Sequence, residues 1–337
     1  MKKIQVLDCT LRDGGYVNNW AFGEETICAV RKALVQAGVE IAELGFFRDE
    51  PYHKDRSVFN ATEQIAALTG PAQTDTLYAG LIEMANYYPE ALLPPYSGTG
   101  PSVIRYSFWM RLIDDAYAYC AQIAQKGYKL CCQPTRVEQY SDEQFAAMCR
   151  RFSELSPYAV YIVDTFGLLQ KEDLLRYARI GHENLAPGVI LGYHAHDNMG
   201  QAFANACAFL EQDYDDRTIQ VDASIGGIGR GAGNLRLETL LHYLNTYHGG
   251  RYDLAPIFDV WDRHLENVKK EFPWGFAFPY FIAAANACNP NYASDFMAMG
   301  LSSSAVYRAI TQITGPDKYL YSPEKAKAYA EKILQKV

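Results

Sequence analysis

Short, dense apolar runs alternate along this chain with longer stretches in which apolar residues recur at helical spacing. The runs predict strands near Ile4–Leu7, Ile41–Gly45, Leu77–Leu81, Val103–Phe108, Lys129–Gln133, Ala159–Val163, Val189–Tyr193 and Ile219–Asp222. Between them, Glu24–Ala37 reads as a helix closed by Gly38, because glycine accepts the left-handed backbone that ends helices. Asp114–Gln125 stops before Lys126-Gly127, Ser141 is placed to cap the next helix, and Gln201–Gln212 forms another. The segment from Pro89 to Pro101, rich in Pro, Gly, Ser and Tyr, reads as a loop. Strands that alternate with helices predict an α/β fold, a closed parallel (β/α)8 TIM barrel over residues 1–250. Beyond Gly249-Gly250 the strand pattern stops. Residues 251–337 read as a small helical C-terminal appendage that either covers the barrel mouth or makes an oligomer contact.

Composition narrows the picture. Apolar residues make up 49% of the 337, enough for a large core and too many for bulk disorder. A formal net charge of −8 argues against nucleic acid or an anionic membrane as the main partner. No window is apolar enough for a membrane span, and Met1-Lys2-Lys3 leads straight into a strand with no signal peptide. The eight cysteines form no CxxC pair and no disulfide framework, so reduced thiols in a cytoplasmic protein are the expectation.

The candidate chemistry lies at two strand ends. After the first strand comes Leu7-Asp8-Cys9-Thr10-Leu11-Arg12-Asp13-Gly14-Gly15; the seventh ends in Gly192-Tyr193-His194-Ala195-His196-Asp197-Asn198. Barrels of this type place catalysis at the C-terminal ends of their strands. Residues i and i+2 of a strand share a face, so His194 and His196 can grip one ion, and strand one lies close enough to strand seven for Asp13 to join them. Two imidazoles and a carboxylate with open positions suit Mn²⁺, Mg²⁺, Zn²⁺ or Fe²⁺. Arg12 cannot act as a base, but its planar fork holds a carboxylate or an enolate oxygen, and a neighbour such as Glu43 or Asp8 would orient it. The run Gly226-Gly227-Ile228-Gly229-Arg230-Gly231-Ala232-Gly233-Asn234 is either an anion cradle or a structural turn, and Asn234 can offer a carbonyl oxygen to a metal.

Together these motifs resemble the DRE-TIM metallolyase superfamily. Asp8-x-Thr10-Leu11-Arg12-Asp13-Gly14 is similar to its N-terminal signature, Glu43 to its strand-two glutamate, and His194-x-His196-Asp197-Asn198-x-Gly200 to its metal motif. Gly229-x-Gly231-Ala232-Gly233-Asn234-x-x-x-Glu238 is similar to its last-strand loop, and the four occur in family order across roughly residues 1–245. The resemblance implies a barrel that binds a divalent cation, Mn²⁺ or Mg²⁺ foremost with Zn²⁺ as the alternative. Asp13, His194, His196 and Asn234 would be its ligands, and Arg12 and Glu43 would belong to the catalytic group.

Within the superfamily, the Gly-Ala-Gly-Asn loop is similar to that of 4-hydroxy-2-oxovalerate aldolases. The loop after strand eight lacks the reactive cysteine of the HMG-CoA lyase group, and Val163 stands where biotin-dependent carboxyltransferases carry a metal-binding lysine. The tail is short for the regulatory domain of the isopropylmalate synthase group. One position departs from the aldolases: their acid/base histidine, three residues after the ligand aspartate, is replaced by Tyr16. A phenol transfers protons if a nearby cation lowers its pKa.

The resemblance therefore implies a divalent-metal-dependent aldolase or lyase that cleaves a 4-hydroxy-2-oxo acid to pyruvate and an aldehyde through an enolate. A Claisen-type enzyme condensing an acyl-CoA with a 2-oxo acid is the alternative. A non-catalytic barrel docking a dehydrogenase is the alternative of another class. Partners under these readings are a small 2-oxo acid and either a second copy of the chain or a dehydrogenase. Should Tyr16 only pack against the mouth, Tyr280 and Tyr292 are the tail phenols that would replace it.

Overall fold

A computed structural model describes residues 3–70 and 75–334. Nine parallel strands run β1 (Ile4–Asp8), β2 (Ile41–Phe47), β3 (Val58–Phe59), β4 (Leu77–Glu83), β5 (Val103–Phe108), β6 (Lys129–Pro134), β7 (Ala159–Asp164), β8 (Ile190–Ala195) and β9 (Ile219–Ala223). Eight of them close the expected (β/α)8 barrel. β1 pairs with β9 from Ile4 opposite Ile219 to Asp8 opposite Ala223, and with β2 through Leu7 opposite Ile41. The two-residue β3 extends β2 only and has too short an apolar run to register in the sequence.

Alternation along each strand divides the core in two. Leu7, Ile41, Val103, Cys131, Tyr161 and Ile190 fill the barrel lumen. Their neighbours Val6, Ala42, Ile104, Leu130, Val160 and Leu191 pack outward against the helices. The helix Glu24–Ala37 buries Ile27, Val30, Ala33, Leu34 and Ala37 on one stripe and ends at Gly38 with φ 79°. Ser141 caps Asp142–Ser153, its Oγ accepting from the Gln144 N–H at 3.2 Å.

Most strands continue one or two residues past their expected ends, and in two of them this matters for the site. β7 includes Asp164, and β8 includes His194 and Ala195, with His194 paired opposite Val163. Polar side chains interrupt the apolar pattern there while the backbone ladder continues, because the lumen at that height is itself polar.

Past the barrel, the helix Ala255–Val260 runs through one wide turn, Trp261–Leu265, into Glu266–Glu271. Ile257, Val260, Leu265 and Trp274 join the outer barrel core. Helices Phe278–Ala285, Pro290–Ala298, Ser303–Ile310 and Pro323–Leu334 then form a lobe with its own core, in which Tyr292, Phe296, Val306 and Ile310 are fully buried. This lobe brings Asn289, Tyr319, Leu320 and Tyr321 to the barrel mouth, where Tyr319 stacks on Phe166 with ring centroids 6.3 Å apart. No helix among the described residues is long and apolar enough to cross a membrane.

Candidate metal centre

The segment after β1 is a tight turn. The Cys9 carbonyl accepts from the N–H groups of Arg12 at 3.2 Å and Asp13 at 2.8 Å. Asp8 and Thr10 lock it: the Thr10 hydroxyl donates to Asp8 Oδ2 at 2.8 Å and accepts from the Ile225 N–H at 2.8 Å. Asp8 and Thr10 thus tie the first strand to the last. Burial pushes the Asp8 carboxyl up to about 7 against the lowering effect of Thr10.

The turn aims Arg12 and Asp13 into a closed ring of buried groups. Arg12 Nε donates to Glu43 Oε2 at 2.7 Å, and Arg105 Nη1 donates to the same oxygen at 2.8 Å. Arg105 also pairs with Asp222 Oδ2. That oxygen lies 3.0 Å from His194 Nδ1, and His194 Nε2 lies 3.1 Å from Asp13 Oδ2. Arg12 Nη1, 3.0 Å from Asp13 Oδ2, closes the circuit. Every member is at least nine-tenths buried. Two guanidinium groups here face three carboxylates, so the ring carries room for added positive charge.

His194 therefore stands between Asp13 and Asp222. Burial would lower its pKa, but the two carboxylates raise it. A carboxylate on Nδ1 fixes the tautomer that leaves Nε2 free for a metal. His196 Nε2 lies 3.6 Å from Asp13 Oδ2, and burial pushes this imidazole down to about 3, so it is neutral and can ligate. Asp13 is held well below the usual carboxylate range despite burial, by Arg12 and the two histidines.

Among the buried atoms with no hydrogen-bond partner are Asp13 Oδ1, His196 Nδ1 and Asn234 Oδ1, besides Glu43 Oε1, Arg105 Nε and Asp222 Oδ1 of the ring. Asn234 pairs through its backbone with His196, and its Nδ2 donates to the Ile228 carbonyl at 2.9 Å, which leaves the oxygen as the free end. A buried carboxylate oxygen and a buried amide oxygen without donors, beside two imidazoles, fit a divalent cation bound by Asp13, His194, His196 and Asn234. Cys9 Sγ lies within 4.8 Å of the Asp13 and His194 ligand atoms, a neighbour that sequence spacing did not single out. Burial holds it as a thiol, and it donates to the Ala223 carbonyl.

The glycines of the loop after β9 resolve as a structural turn. A Cβ on Gly229 would lie 2.2 Å from Asn234 Nδ2, and one on Gly233 would lie 2.0 Å from the Gly227 carbonyl oxygen. They let the loop fold tightly enough to seat Asn234.

Above the ring opens a cavity of about 380 Å³, with Arg12, Asp13, His194 and His196 in its wall. Tyr16 lines it too. Its hydroxyl lies 3.1 Å from Glu83 Oε1, and burial together with Glu83 raises its pKa, opposite to the lowering a cation would cause. Glu83, Arg105 and Asp222 carry no local motif and were not singled out by sequence. The only signal they offer is a charged residue interrupting an apolar strand. Tyr280 and Tyr292 do not line this cavity. Tyr292 is fully buried with its hydroxyl on the Asp317 carbonyl, and Tyr280 faces a neighbouring cleft. The tail phenols that reach the mouth are Tyr319 and Tyr321, because the residues after Gly315 fold back over it.

Fold and site define a (β/α)8 barrel with Asp13, His194 and His196 gathered at its C-terminal mouth. Residues 95–262 form a domain that matches the HMGL-like family model, in keeping with the DRE-TIM metallolyase motifs of the sequence. An oxaloacetate decarboxylase from Mycobacterium tuberculosis is 27% identical over 268 residues, which cover 76% of this chain and 74% of that protein. A 4-hydroxy-2-oxovalerate aldolase from Thermomicrobium roseum is 28% identical over 255 residues, 72% of this chain and 66% of the relative. The carboxyl transferase domain of Rhizobium etli pyruvate carboxylase superposes with a TM-score of 0.71 at 15% identity. It covers 100% of this chain and 61% of its own, so the shared fold includes the tail helices.

Proposed function

We propose that this chain is a divalent-metal-dependent carbon–carbon lyase of the aldolase type, which cleaves a 4-hydroxy-2-oxo acid to pyruvate and an aldehyde or runs the reverse. The observation that carries the reading is the buried ring, which presents Asp13, His194 and His196 beside Arg12 at the floor of one cavity. Asp13, His194, His196 and Asn234 would hold the ion, Mn²⁺ or Mg²⁺ before Zn²⁺. When bound it polarises the 2-oxo and carboxylate oxygens of the substrate.

Arg12 works from a fixed position. Glu43 holds its Nε and Asp13 forms an ion pair with Nη1, so the remaining guanidinium N–H groups are preorganised for the oxygen that gains charge as the C3–C4 bond breaks. Tyr16 and Glu83 supply a proton path. The 4-hydroxyl gives its proton to the Tyr16 oxygen while Tyr16 passes its own to Glu83, so the phenol relays a proton and never needs to ionise first. The C3–C4 electron pair becomes the enolate, the 4-oxygen becomes the aldehyde carbonyl, and the proton on Glu83 returns to C3. A neutral, cavity-facing Tyr16 suits this relay better than a free phenolate.

The same proposal assigns residues 1–250 to the catalytic barrel and 251–337 to a region that completes its mouth. It places the protein in the cytoplasm, as a homodimer or with a dehydrogenase. The test is metal analysis of the purified protein followed by a screen of 2-oxo acid and aldehyde pairs. The expected result is chelator-sensitive pyruvate turnover, with metal content and rate both lost in His194→Ala and His196→Ala while the fold survives. Full metal occupancy and normal rate in both variants would overturn the site. Failure of every pair in the metal-loaded protein would overturn the reaction.

A further inference from the structure

The far side of the cavity carries charge that the ring does not use. Arg111 follows β5 and Arg136 follows β6, and both line the cavity that holds Arg12 and Asp13. β6 lies four strands from β1 in either direction round the barrel, so these residues sit across the mouth from the Arg12–Asp13 turn.

Their pairing differs from that of the ring arginines. Arg12 and Arg105 are each matched by carboxylates, whereas among the described residues neither Arg111 nor Arg136 has a carboxylate within ion-pair distance. Each instead lies over an aromatic ring of the same wall, Arg111 4.8 Å from the centroid of Trp109 and Arg136 5.7 Å from that of Tyr319. Stacking fixes a guanidinium plane while leaving its edge N–H groups free.

Arg136 is also costly to keep where it is. It is half-buried and its backbone is left-handed, at φ 56° and ψ 57°, with its N–H donating to the Thr165 hydroxyl at 2.7 Å. A non-glycine residue held in this region, with a cation turned into a cavity, is the kind of strain that marks binding sites. Glu138, whose charge acts on Arg136, makes no ion pair with it and does not line the cavity, its carboxyl oxygens both buried and unpartnered. Of the two acids that line the cavity, Asp13 belongs to the ring and Glu83 is engaged by Tyr16, Asn86 and Arg48. In a chain of net charge −8, an uncompensated pair of arginines facing one cavity wall needs an anionic partner.

We infer that the aldehyde half of the substrate carries a terminal anionic group, a carboxylate or a phosphate, which Arg111 and Arg136 bind across the mouth from the metal ligands. This rests on the lyase reading and narrows its substrate class: a small uncharged aldehyde leaves both arginines empty. The tail contributes through Tyr319, which backs Arg136, so the C-terminal lobe takes part in choosing the substrate.

The test has two arms. In the first, the metal-loaded protein is given pyruvate with succinic semialdehyde, with glyceraldehyde 3-phosphate, and with the neutral counterparts butanal and glyceraldehyde. One charged aldehyde should exceed its neutral counterpart in kcat/KM by at least about tenfold, the scale of one charge-assisted contact. Which charged aldehyde is preferred decides between carboxylate and phosphate. Arg111→Ala and Arg136→Asn should erase the preference, mainly through KM, while pyruvate C3 proton exchange continues at the parent rate. Asparagine tolerates the left-handed backbone, so Arg136→Asn removes the charge without adding strain. Equal use of charged and neutral aldehydes, with exchange intact, overturns the anion site and leaves the lyase reading standing.

The second arm does not depend on turnover. Calorimetric binding of inorganic phosphate and of glutarate to the Mg²⁺-loaded protein should weaken at least about tenfold in each variant. If no aldol pair and no exchange are seen, the lyase reading has failed and this arm alone decides. Weakened binding then supports the anion site, and unchanged or undetectable binding in the parent and both variants overturns it.

Discussion

Arg12 illustrates how little freedom the site leaves a single residue. Its Nε is fixed by Glu43 and its Nη1 by Asp13, so the orientation of the fork is set before substrate arrives. A lysine at this position keeps the charge and loses the fork. Arg12→Lys is therefore expected to lower kcat by on the order of 10²-fold, the usual effect of removing an oxyanion donor. Steady-state kinetics that find kcat unchanged would take Arg12 out of the mechanism. Tyr16 makes a different prediction, because it is needed only where a hydroxyl proton moves. Tyr16→Phe and Glu83→Gln should both slow cleavage of a 4-hydroxy-2-oxo acid and spare oxaloacetate decarboxylation, which requires no such transfer. Were the two reactions to fall together in Tyr16→Phe, the residue would be a packing partner of Trp20 and Phe46, whose rings it meets edge-on.

Among the elements, β2 shows how a strand is bent to serve the mouth. Its pairing with β4 shifts register between Glu43 and Phe46, and Gly45 sits in the gap with φ 157°. A Cβ there would lie 1.9 Å from the Ser57 carbonyl oxygen. The bulge keeps Glu43 in the lumen beside Arg12 and Arg105 while swinging Phe46 into the cavity wall. Gly45→Ala is expected to destabilise the protein by about 1–3 kcal/mol, as strain at a special backbone position does. It should also weaken metal binding by displacing Glu43 and, through it, Arg12 and Asp13. Chemical denaturation with the parental midpoint would show that the loop from Arg48 to Ser57 simply moves aside.

For the molecule as a whole, the unusual carboxyls set opposite pH trends. Burial raises Glu138 to about 8 and Asp8 and Asp164 to about 7, so the folded protein binds these protons more tightly than the unfolded chain. Their contribution to stability is complete below about pH 4 and is lost as pH rises through about 7 to 8. Asp13 and Asp222 are held low by their cationic neighbours and act in reverse, stabilising above the ordinary carboxylate range and failing in acid. Glu138→Gln keeps the shape and removes one of the first set. Its Tm should fall less than the parent's between pH 6 and pH 9, with the gap widening on the alkaline side; thermal melts that run parallel over that range would place the Glu138 carboxyl in water instead.

The sequence by itself determined the barrel and pointed to the residues proposed as ligands, because both rest on short-range patterns. Alternation of strand and helix is read within tens of residues, and the His-x-His and Arg-Asp motifs gather their side chains through local geometry alone. It also marked Tyr16 as the place where this chain leaves its relatives, although the phenol turned out to be raised in pKa and bonded to Glu83. Only the tertiary structure decided what surrounds those motifs. Arg105 and Asp222 pair across 117 residues, and Glu83 meets Tyr16 across 67. Arg111 and Arg136 share a wall only because neighbouring strands end side by side, and Tyr319 joins them because the tail folds back over the mouth. None of these residues has a local signature, since a single buried arginine or glutamate looks the same in sequence as a solvated one. Closure of the barrel, which brings distant strand ends to one rim, is what makes them a site.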